Sequence, residues 1–78
     1  MFAKLKTRLL YILLAQRLGV IQDRDTPLHE LDISDYTFTV MDNNGLRTVE
    51  DAVIAYCLHH PTPGVGEGSW NDFLNCVS

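Results

Sequence analysis

From Phe2 to Leu18 the chain carries neither Gly nor Pro, and Leu5, Leu9, Ile12 and Leu13 recur at three- and four-residue spacing. That period, in a stretch rich in Leu, Ala, Lys, Arg and Gln, predicts a helix over 2–18. Leu10, Leu14 and Leu18 widen the apolar stripe, while Lys4, Arg8 and Tyr11 flank it. The arc is wider than one packing face needs, so it must be covered on more than one side, by the rest of the chain or by a partner. Gly19 follows the last periodic residue and suits a helix C-terminus.

A polar connection over 20–26 leads to Thr26-Pro27, read as the cap and first position of a short helical turn through Leu31. Residues 35–49 carry two competing signals. Tyr36-Thr-Phe-Thr-Val40 alternates and precedes Asn43-Asn44-Gly45, the local signature of a β-hairpin. The rival is a helix capped by Ser34 and ending at a left-handed Gly45. Thr48, with Glu50 and Asp51 behind it, opens a helix over 48–59 that Pro61 and Pro63 stop. A last helix is expected from Ser69, with Asp72 as its capping-box acid and Trp70, Phe73, Leu74 and Val77 on its apolar face.

At 78 residues and 46% hydrophobic, the chain fits one folded domain with a thin core and little room for a deep cleft. No apolar run approaches the length of a membrane-spanning helix. The cations before Leu9–Ala15 imitate a secretion signal, but Gln16 and Arg17 follow where small cleavage-site residues are needed. The segment therefore reads as part of the domain, with a cytoplasmic location expected. Charge is uneven: residues 1–24 carry +4 and residues 25–78 carry −8, for a net −4. The simplest reading is that the two parts attract each other across the fold.

Cys57 and Cys76 are too few for a disulfide scaffold, and with His59 and His60 they lack the paired spacing of a zinc site. Neither a metal nor another cofactor is expected. His29, Asp32 and Ser34 do not form a nucleophile motif, and Asp and Ser near helix starts ordinarily cap. An enzyme is not expected.

Pro63-Gly-Val-Gly-Glu-Gly-Ser69 joins two predicted helices in the manner of a helix-hairpin-helix turn. The glycines permit a tight turn, Val65 plugs the core, and the amides at the next helix start can face an anion. Leu31-Asp-Ile-Ser34, Leu46-Arg-Thr-Val-Glu-Asp51 and Pro63–Trp70 follow one another in an order that resembles the C-terminal domain of the bacterial RNA polymerase alpha subunit, over residues 31–78. The resemblance implies that residues 35–44 are helical. With it, the expected fold is all-α: an N-terminal helix over 1–20 and a helix-hairpin-helix module over 31–78.

That family binds the DNA minor groove and contacts activators. By register, its early arginine falls at Tyr36, its first asparagine at Thr39, and its hairpin asparagine and lysine at Gly64 and Gly68. Only Gly66 and Ser69 match, and turn geometry explains both. Glu67 adds negative charge to the loop. DNA binding is therefore expected to be weak or absent, and no membrane contact is expected. The function implied is a protein-interaction module whose partner is RNA polymerase, another transcription component or a second copy of the chain. Tyr11, Leu10, Leu14, Arg17 and Tyr36 are the candidate partner surface. The alternative is a nucleic-acid binder that uses Gly64, Val65, Gly66, Gly68 and Ser69 together with the basic first helix.

Overall fold

The computed structural model describes the backbone of residues 2–78 and the side chains from Leu9 onward. The fold is all-α: α1 Phe2–Leu18, a 3₁₀ turn Leu28–Glu30, α2 Asp35–Asn43, α3 Val49–Cys57 and α4 Glu67–Val77. No strand forms among the described residues; Pro27 and Thr48 make one isolated bridge. Helix α1 packs on α3, and α2 packs on α4.

Residues 35–44 are the clearest case of tertiary context overriding local pattern. A strand would have put Tyr36, Phe38 and Val40 on one face. Instead Ser34 caps a helix, its Oγ accepting from the Thr37 amide at 3.1 Å. The buried residues are then Thr37 and Met41, four apart, as a helix requires. The buried Thr37 hydroxyl is satisfied by the Ser34 hydroxyl at 2.9 Å, so burial leaves no orphan polar atom.

Helix α3 begins with a full capping box. The Asp51 amide donates to Thr48 Oγ1 at 3.3 Å, and Asp51 Oδ2 accepts from the Thr48 amide at 3.3 Å and the Arg47 amide at 3.1 Å. The connection before α2 satisfies two more amides of the α3 start: Val49 and Glu50 donate to the Thr26 and Arg24 carbonyls, both at 3.0 Å.

Helices α1, α2 and α3 end alike. In each, the second residue past the cap donates back to the carbonyl of the last full turn, and the residue before it is left-handed. The pairs are Val20 to Ala15, Leu46 to Met41 and His60 to Ala55. The left-handed residues are Gly19, Gly45 and His59, with φ of 73°, 78° and 55°. The first two follow the sequence expectation. His59 holds without help a conformation that costs a side-chain-bearing residue about 1–2 kcal/mol.

Two capping expectations are corrected. Pro27, not Thr26, holds the cap position of the 3₁₀ turn, with no side-chain cap. The Thr26 hydroxyl instead accepts from Gln22 Nε2 at 3.2 Å. Helix α4 starts at Glu67 after an extended Gly66, so Ser69 and Asp72 do not form its capping box. Ser69 is buried in the first turn, and Asp72 reaches across to α2.

Leu28, Met41, Val49, Val53, Phe73 and Val77 are fully buried and come from every part of the chain after α1. Tyr11 and Ala15 bring α1 into the same core. Each such side chain contributes about 1.5–3 kcal/mol by leaving water. Leu46, Val49 and Phe73 are buried, and Val65 and Trp70 pack half-buried against the core. Trp70 meets Tyr56 at 5.1 Å and Phe73 at 6.2 Å between ring centroids, joining α3 to α4.

Candidate partner-binding surface

The hairpin loop is one of two places to which the sequence directs attention. Its residues are held against α2. Gly64 has φ of 87°, and a Cβ there would lie 2.9 Å from Cγ2 of Val40, a stiff β-branched side chain. Only glycine meets both conditions. Asn44 Nδ2 donates to the Val40 carbonyl at 2.7 Å and the Pro63 carbonyl at 3.0 Å, tying the end of α2 to the loop. Sequence reasoning places Asn44 only in a turn and misses this role, for which an amide next to a left-handed glycine is the available sign.

Beyond Gly64, Val65 packs on the core, Gly66 sits at the α4 cap position and Ser69 is buried. Gly68 and Glu67 face solvent. The Ser34 amide donates to Asp72 Oδ2 at 3.0 Å. This bond, with those from the Thr37 and Ser34 side chains, holds the Asp72 carboxyl below the usual carboxylate range. The neighbourhood of the loop thus presents Glu67 and Asp72, and Asp35 stands at the exposed start of α2.

The second place is α1, whose faces differ in environment rather than in composition. Tyr11 and Ala15 point into the core, with Leu14 and Leu18 packed beside them. Burial, followed by the charge of Glu50, raises the Tyr11 hydroxyl above its ordinary value. The hydroxyl makes a long 3.5 Å contact to the Gln22 carbonyl. On the opposite side Leu9, Ile12 and Leu13 are 59%, 50% and 66% exposed. Leu10, Leu13, Leu14, Gln16 and Arg17 line a shallow concavity there.

The structure therefore divides the surface expected from the sequence. Tyr11 is 6% exposed and belongs to the core, which corrects its assignment to the partner surface. The small Ala15 one turn on explains why: that face lets α1 come close to α3. Leu10 and Leu14 are half-buried and Arg17 is exposed, as parts of one face. Tyr36 is exposed but lies on α2, a different element. The turn at Leu28–Glu30 buries Leu28 against the core and leaves Leu9, Ile12 and Leu13 uncovered. The side chains of Lys4, Leu5, Lys6 and Arg8 lie outside the described residues.

Attraction between the basic and acidic parts narrows to Arg24 among the described side chains: its Nη1 lies 3.4 Å from Glu50 and its Nε 3.9 Å from Asp25. Arg17 has no carboxylate partner among the described residues. Cys57, His59, His60 and Cys76 do not gather into a metal-ligand group among the described residues, and both thiols are free. Burial pushes the Cys57 thiol up. Among the described residues, no helix is long and apolar enough to cross a membrane. Compared with known proteins, the chain matches no family model, no curated protein and no solved structure at a significant level.

Proposed function

We propose that the chain is a small non-enzymatic protein-interaction module that acts in transcription through protein contacts. The observation that carries the interaction reading is the outer face of α1. Leu9, Ile12 and Leu13 stand in water on a helix whose other face is locked into the core. Scattered exposed leucines need no explanation, but a contiguous stripe on an anchored helix is what a protein contact uses. Covering these side chains removes apolar area from water, of which association costs consume a part.

The transcriptional part rests on the resemblance of residues 31–78 to the C-terminal domain of the bacterial RNA polymerase alpha subunit. Recognition through DNA is disfavoured by the same surface: Glu67 sits in the first turn of α4, and phosphate contacts need clustered cations. The basic α1 packs on α3, while the loop packs on α2.

A pull-down with the tagged full chain from its native host, probed for the core proteins of RNA polymerase, tests the reading. Retention of one of them is the expected result. Submicromolar duplex-DNA binding at ~150 mM salt, with a slope implying several phosphate contacts, would overturn it in favour of nucleic-acid binding.

A further inference from the structure

The segment that carries this outer face is also uniform in charge, and that bears on what covers it. Residues 1–22 hold Lys4, Lys6, Arg8 and Arg17 and no acid; the first acid is Asp23. Elsewhere in the chain, residues 23–78 hold ten acids against Arg24 and Arg47. Arg17 borders the concavity formed with Leu10, Leu13 and Leu14, and no carboxylate among the described residues neutralises it. Arg24, by contrast, is already engaged by Glu50 and Asp25. The apolar stripe thus lies on the one segment of the molecule whose charge is entirely positive.

We infer that α1 docks an acidic amphipathic helix of a partner protein, its apolar residues on Leu9, Ile12 and Leu13 and a carboxylate facing Arg17. This deepens the interaction-module reading and rests on it. A second copy fits poorly. Pairing α1 with α1 brings together two helices that each carry four cations and no acid. Like charges brought together disfavour the pair. An anionic bilayer fits less well than a helix. The acidic remainder of the domain, with ten acids against two cations over residues 23–78, is repelled by an anionic surface.

Two designed helical peptides of about three heptads test this, each with Leu at a and d, one with Glu and one with Lys at the flanking positions. The full chain is titrated with each at ~150 mM salt. The Glu peptide is expected to bind saturably and at least about tenfold more tightly than the Lys peptide. Leu13→Asp should abolish binding with an unchanged thermal melt, and Arg17→Glu, at an exposed position, should cancel or reverse the preference. Equal affinity for both peptides, or no saturable binding of the Glu peptide, overturns the proposal. So does binding to phosphatidylglycerol vesicles without binding to the peptide, or a concentration-dependent dimer that Leu13→Asp dissolves. A native partner whose capture survives both Leu13→Asp and Arg17→Glu leaves the interaction-module reading standing and removes this one.

Discussion

The hairpin loop and the outer face of α1 are both conspicuous in the sequence, and they end in opposite situations. In and beside the loop, four conspicuous residues are engaged inside the molecule. Gly64 clears Val40, Asn44 bonds the Pro63 carbonyl, Val65 packs inward and Ser69 is buried. On α1, Leu9, Ile12 and Leu13 have no such partner, although they are no more apolar than the residues behind them. A motif whose residues are consumed by folding says little about contacts with other molecules. A surface that folding leaves unused says more.

The contrast makes graded predictions about stability. The largest effect is expected from Gly64→Ala, which adds a left-handed penalty of about 1–2 kcal/mol to a clash with Val40. Denaturant melts should show a loss of that order or more, and a neutral result would mean the loop is not held as described. Asn44→Ala should cost about 1–2 kcal/mol, because it leaves the Pro63 and Val40 carbonyls without their side-chain donor. A loss much below this would loosen the link between α2 and the loop.

His59→Gly should act in the other direction and stabilise the chain by up to about 1 kcal/mol, since glycine relieves the left-handed strain at the α3 end. Leu13→Asp is expected to move stability by no more than about 0.5 kcal/mol, as exposed substitutions do. A large loss there would place Leu13 in the core and erase the contrast with Gly64.

The smallest effect concerns pH. Asp72 has a depressed folded pKa, so its contribution to stability is present above the unfolded value near 3.8 and is lost as pH falls through the folded value. Asp72→Asn should therefore flatten the acid limb of the stability curve below about pH 4 and alter little near neutrality. An unchanged acid limb would show that the bond from Ser34 carries no weight.

The helices were largely legible because their ends carry local signals. Ser34, Thr48, Gly19 and Gly45 each act where side-chain chemistry near the backbone decides the outcome. Residues 35–44 carry both a strand and a helix signal, and the structure makes them a helix capped by Ser34. The misreadings share a cause. The near neighbours of Tyr11 and Asp72 suggest roles at the helix surface and in a cap, but their partners lie far along the chain, and Ser69 is buried in the first turn of α4 instead of capping it. On α1 the period gave the helix but not which side faces inward, because apolar residues surround it almost completely. The packing of α1 on α3, with Tyr11 and Ala15 buried, decides that.

The sharpest test of the contrast is an amide chemical-shift titration of the labelled full chain with the Glu-flanked helical peptide. The largest shifts are expected along Leu9–Arg17, with Gly64–Ser69 unmoved. Shifts centred on Gly64–Ser69, with Leu9–Arg17 silent, would contradict it and return the contact surface to the hairpin.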